Sequence, residues 1–104
     1  MIEDLILFIK EHHLPVSLKQ RNALPPGRRS PWLIQPSPGY LETAHDCPIA
    51  IKDIEWLEID CIETIPGGKL VAPVIKDHFL TLTEWLSSRK VEFVGDEKIV
   101  RVLL

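Results

Sequence analysis

Residues 54–60, Ile-Glu-Trp-Leu-Glu-Ile-Asp, constrain this chain more than any other stretch. Leu57, Ile59 and Cys61 alternate with Glu58, Asp60 and Ile62, and a period of two predicts a strand with one wet face. Ile54 and Trp56 fall on the opposite parity. That slip of phase predicts a bulge or short turn near Glu55–Trp56, because a one-residue shift sends every side chain to the other face. Downstream, Pro66-Gly67-Gly68 supplies residues that reach positive φ cheaply, which predicts a hairpin returning along residues 69–72. Residues 49–74 therefore read as a piece of antiparallel sheet with an acidic outer surface, and the rest of the chain as parts that cover or extend it.

Residues 2–14 predict a helix. Ile2, Leu5, Ile6 and Ile9 recur at helical spacing, Phe8 widens the stripe, and Glu3 and Asp4 suit the positive end of the dipole. Pro15 ends it. Seven of the nine prolines then fall between Pro15 and Pro48, so residues 16–48 read as a long Pro-rich connection. It has turns at Pro25-Pro26-Gly27 and Pro36-Ser37-Pro38-Gly39, and one short edge strand within Pro31-Trp32-Leu33-Ile34-Gln35. A second helix is predicted over residues 76–89, from Ile75, Phe79, Leu82 and Leu86, with Asp77 as a cap or first-turn acid and Trp85 in the core. Val91–Val94 and Ile99–Leu103 flank Gly95-Asp96-Glu97 as a second hairpin. Its last strand is apolar on both parities and is expected inside the sheet. The expected fold is α+β: one domain over residues 1–104, with two helices on one face of a mainly antiparallel sheet of four to five strands.

Composition narrows function mostly by exclusion. A chain of 104 residues can bury one core without staples, and a formal charge of −3 gives no bulk attraction for nucleic acid. Cys47 and Cys61 match no zinc or redox spacing, so the plain reading is two thiols, with a disulfide as the alternative. No basic region precedes the first apolar residues, and no apolar run reaches the roughly 18 to 20 residues that span a bilayer. The expectation is a cytoplasmic protein with no membrane partner.

The densest charge is acidic: Asp53, Glu55, Glu58, Asp60 and Glu63 surround Trp56, offset by Lys52. Glu58 and Asp60 project from one strand face about 7 Å apart. Paired carboxylates suit acid–base chemistry or a divalent cation, but no histidine or third acid stands at a supporting spacing. A solvated sheet face is the plain reading, and a docking surface for a basic protein the functional one. His45 and Cys47 are two apart, yet two ligands do not make a metal site. Cys61 falls on the core face, as a buried hydrophobe rather than a nucleophile. Lys19, Arg21, Arg28 and Arg29 either contact phosphates with Trp32 or fold back over the acidic strand. No catalytic motif, cofactor or metal site is expected.

From Pro48 onward, above all in Asp53-Ile54-Glu55-Trp56-Leu57-Glu58-Ile59-Asp60 and Leu70 to His78, the chain resembles small bacterial immunity-type proteins of toxin–immunity pairs. That resemblance covers the C-terminal half and implies a non-enzymatic inhibitor that covers a basic toxin site. Asp53, Glu55, Glu58, Asp60 and Glu63 would then be its footprint and Trp56 its anchor. Two alternatives stand beside it: a self-associating subunit joined through the exposed strand and Trp56 as a homodimer, and a small metal-dependent hydrolase using Glu58, Asp60, His45 or His78.

Overall fold

The alternation in residues 54–60 becomes the spine of a four-stranded sheet. The computed structural model describes residues 2–21 and 27–104. Its elements are α1 (Ile2–Glu11), β1 (Val16–Gln20), β2 (Leu33–Ile34), β3 (Tyr40–Thr43), β4 (Ile49–Ala50), a 3-10 turn (Ile51–Asp53), β5 (Ile54–Asp60), β6 (Ile62–Ile65), β7 (Val74–Asp77), α2 (Phe79–Ser88), β8 (Phe93–Asp96) and β9 (Ile99–Leu103). The fold is α+β. Instead of one sheet there are three among the described residues: the main sheet β1-β5-β9-β8, a small sheet β2-β3-β4, and the ribbon β6-β7. All pairings between these strands are antiparallel.

Register sorts the main sheet into two faces. Leu18, Leu57, Val102 and Phe93 form one cross-strand row, and Val16, Ile59, Val100 and Gly95 the next. These rows point into a core shared with Leu5 and Ile9 of α1 and Leu82 and Leu86 of α2, so the buried stripes of both helices meet the sheet in one cluster. Gly95 is short for a reason: a Cβ there would meet the Phe79 ring of α2 at 3.0 Å. The opposite face carries Ser17, Glu58, Arg101 and Val94 in one row and Lys19, Trp56 and Leu103 in the next.

The phase slip is a bulge. Lys19 pairs with Trp56, but Gln20 pairs with Ile54, leaving Glu55 as the extra residue. Ile54 and Leu57 are thereby both fully buried, although three positions apart, while Glu55 and Trp56 are half-buried. As expected, β9 lies inside the sheet, between β5 and β8.

Several boundaries move. The first helix stops at Glu11, not at residue 14, and the agent is local. His13 adopts φ +51°, Leu14 N–H donates to the Ile9 carbonyl (3.0 Å), and His13 N–H to that of Lys10 (3.3 Å). This is a Schellman ending with a non-glycine residue in the left-handed position. The second helix ends the same way: Lys90 has φ +57°, Val91 N–H bonds Leu86 and Lys90 N–H bonds Ser87. A left-handed side-chain-bearing residue costs roughly 1–2 kcal/mol, part of which glycine's lost entropy takes back. His13→Gly and Lys90→Gly are each expected to stabilise the fold by about 0.5–1 kcal/mol, additively, in urea titrations at unchanged m-value.

The hairpin after β5 is also displaced. Ile65 pairs with Val74, so residues 66–73 form the loop and the return strand begins at Val74 rather than at residue 69. Neither Gly67 nor Gly68 has positive φ. Gly67 is required instead by close approach, since a Cβ would lie 2.5 Å from the Val71 carbonyl oxygen. Lys76 and Asp77, expected in the second helix, belong to β7; the helix starts at Phe79, whose N–H donates to Asp77 Oδ1 (2.9 Å). The second hairpin turns at Glu97-Lys98, two residues later than expected, with Glu97 at φ +54°.

Among its described residues, the Pro-rich connection of residues 16–48 holds three strands. The short edge strand appears as β2, but β1 and β3 were not anticipated, although Val16-Ser17-Leu18-Lys19 alternates. The turn at Pro36-Ser37-Pro38-Gly39 is present: Tyr40 N–H bonds the Ser37 carbonyl and Gly39 has φ +82°, a type II turn with proline before the glycine. The expected turn at Pro25-Pro26-Gly27 lies, but for Gly27, outside the described residues. Among those residues no helix is long and apolar enough to cross a membrane.

Candidate interaction face

Of the six residues singled out in the sequence, four share the outer face of the main sheet: Glu55, Trp56, Glu58 and Asp60. The bulge puts Glu55 and Trp56 there together. Asp53 stands exposed in the 3-10 turn at the edge, where its carbonyl accepts from Arg21 N–H (2.9 Å). Glu63 does not belong to this face; it is buried on β6 among histidines.

Each of the three β5 carboxylates on the face has a cation. Lys19 Nζ lies 3.1 Å from Glu55 Oε2, Arg101 Nε 3.1 Å from Glu58 Oε1, and Arg29 Nη1 3.0 Å from Asp60 Oδ2. The β5 acids are therefore neutralised in place, by Lys19 and Arg101 from the neighbouring strands and by Arg29, which folds back over the strand from beyond β1. Lys19 is the costly member, since only 4 % of the residue is exposed. Its ammonium is satisfied by Glu55 and by the Gln20 carbonyl at 2.7 Å, as a buried charge must be. Ser17 Oγ donates to the second oxygen of Glu58 (3.1 Å), so that carboxylate is held from both neighbouring strands.

Trp56 sits at the centre. Lys19 Nζ lies 5.6 Å and the Arg101 guanidinium carbon 4.8 Å from its ring centroid, so two cations share one indole. Its indole N–H is buried with no hydrogen-bond partner among the described residues. The β8–β9 side of the face is open: Val94, Arg101 and Leu103 are exposed, and a shallow depression of about 320 Å³ lies between Glu58, Val94, Asp96 and Arg101. A second exposed apolar surface lies on the ribbon, where Leu70, Val71, Val74 and Ile75 all face solvent.

Sequence spacing missed a cluster on the other side of the molecule. His12, in the turn ending α1, His78, just before α2, and Glu63 of β6 bring their ligand atoms within 4.8 Å of one another. His78 Nε2 lies 2.8 Å and His12 Nδ1 3.7 Å from the same oxygen, Glu63 Oε1. The hydrogen bond from His78, with the charges of His78 and His12, holds the Glu63 carboxyl below its usual range against the opposing effect of burial. The two imidazoles lie 4.2 Å apart between centroids, tilted by 36°, and Phe8 packs beside His12 at 4.6 Å and against Trp85 at 6.4 Å. Trp85, expected in the core, is half-buried at this rim under Arg89. The three ligands come from separate elements, and no local pattern links them.

Other candidates stay apart. His45 and Cys47 are exposed between β3 and β4 and do not join this cluster. Cys61 is fully buried; burial, then the charges of Asp60 and Asp77, push its thiol up to about 12, so at neutral pH it is protonated and a poor nucleophile. Cys47 and Cys61 are free thiols.

An α+β domain with one sheet face under helices and the other presenting a clamped tryptophan is the class these features define. The model of a family of unknown function, DUF6678, matches residues 8–103, and the chain belongs to that family. No curated protein and no solved structure matches it.

Proposed function

We propose that this chain is a non-enzymatic protein-binding domain, of the immunity type its C-terminal half resembles, that neutralises a cognate toxin through the outer face of the main sheet. The observation that carries the reading is Trp56 held between Lys19 and Arg101 amid Glu55, Glu58 and Asp60. Trp and Arg are the residues most enriched at the energetic centres of interfaces, and a face whose rotamers are already fixed loses little entropy on binding. Internal pairing of the acids changes the expected mechanism. A partner exchanges ion pairs with this network rather than meeting bare negative charge, so salt should weaken binding only moderately.

The test is capture from lysate of the source organism by the wild type, by a Glu58→Lys/Asp60→Lys double variant and by a Leu70→Ser/Val71→Ser variant, each first shown to be folded. A single basic protein retained by the wild type and the ribbon variant, but lost from the double variant, supports the outer face. Retention by the double variant together with loss from the ribbon variant overturns it. A homodimer in light scattering, broken by the double variant, moves the reading to self-association through the same face.

A further inference from the structure

The geometry points to a zinc site formed by His12, Glu63 and His78, tying the base of the β6–β7 ribbon to both helices. Three observations converge on it. The donor set is two imidazoles and one carboxylate, which suits zinc and related divalent transition metals and leaves a fourth position for water. The ligand atoms lie within 4.8 Å of one another, with Glu63 Oε1 2.8 Å from His78 Nε2 and 3.7 Å from His12 Nδ1. With metal–ligand bonds of about 2.0–2.2 Å, donor atoms around a tetrahedral ion stand roughly 3.4 Å apart, so the cluster closes on an ion by shifts of about an ångström or less.

The third observation is a shared acceptor. Both imidazoles, 4.2 Å apart between centroids and tilted by 36°, address the same carboxylate oxygen. A divalent cation between the three groups would take a lone pair from each. Backbone bonds hold the ligands in place without the ion. His78 N–H donates to the Cys61 carbonyl (2.8 Å), its own carbonyl accepts from Leu82 N–H (2.9 Å), and His12 N–H donates to Phe8 (3.2 Å). The Phe8 ring shields one flank of the site.

The experiment uses untagged, metal-stripped full chain, melted with zinc, with magnesium and with neither, and titrated separately with cobalt. At zinc concentrations about a hundred times the dissociation constant, the wild type should melt roughly 10 °C higher or more. Magnesium, which prefers oxygen ligands, should do nothing. Cobalt should bind one to one and give the visible bands of a four- or five-coordinate ion. His12→Ala and His78→Ala should each lose both responses, and Cys47→Ser should keep them. No zinc shift and no cobalt bands in the wild type would overturn the site. So would a shift that survives in both histidine variants, or one that vanishes in Cys47→Ser. Because the cobalt titration reads the folded wild type, a variant that fails to fold does not rescue the proposal.

Discussion

Leu57→Ala should lower stability by about 3 kcal/mol, the largest effect expected from a single truncation here. Leu57 has no exposed surface and stands on the central strand pair, between Leu18 of β1 and Val102 of β9. Its side chain lies in the same buried cluster as Leu5 and Ile9 of α1 and Leu82 and Leu86 of α2, so truncation opens a cavity inside the core. For a domain of this size that corresponds to a melting temperature lower by about 15 °C. The measurement is a thermal melt with a denaturant titration; a loss under about 1 kcal/mol would mean that the core relaxes around the cavity. Leu70→Ala, at a side chain that is 100 % exposed, is the matched control and should be silent.

Trp56→Ala should cost about 2 kcal/mol, less than the roughly 3–5 kcal/mol of a fully buried tryptophan, because Trp56 is only half-buried. It removes the surface on which the Lys19 stem and Arg101 lie, and leaves the Lys19 ammonium with fewer neighbours in a dry setting. Trp56→Phe should behave differently. The indole N–H it deletes is buried and makes no hydrogen bond, and an unmade bond of that kind costs about 1–3 kcal/mol. That gain offsets the smaller ring, so the change should be within about 1 kcal/mol of zero. Equal losses for Ala and Phe would mean that the N–H has an acceptor. The pair also separates folding from binding: if Trp56 anchors a partner, Phe should keep stability and weaken capture.

Local chemistry made much of the fold legible. The period of two in residues 57–61, the parity slip at Glu55–Trp56 and the Pro38-Gly39 turn each depend on neighbours in the chain, and each appears in the structure. Boundaries set by competition between elements were not legible. Lys76-Asp77 reads as the start of a helix, yet β7, Val74–Asp77, takes both residues by pairing with Ile62–Ile65, because a partner strand elsewhere supplies their hydrogen bonds. His13 and Lys90 end helices in a left-handed conformation that glycine would have announced.

The sequence by itself determined the class of fold, the buried parity of β5 and the presence of acids around one tryptophan. Only the tertiary structure decided what those acids do. Strand register sets Arg101 beside Glu58 and Lys19 beside Glu55, and the fold-back after β1 brings Arg29 to Asp60; partners 31 to 43 residues apart leave no periodic trace. It also decided that Glu63 leaves that group for His12 and His78, which meet because α1, β6 and α2 share a corner of the core. Periodicity records which face a residue takes, and contact between distant residues depends on how those faces are packed.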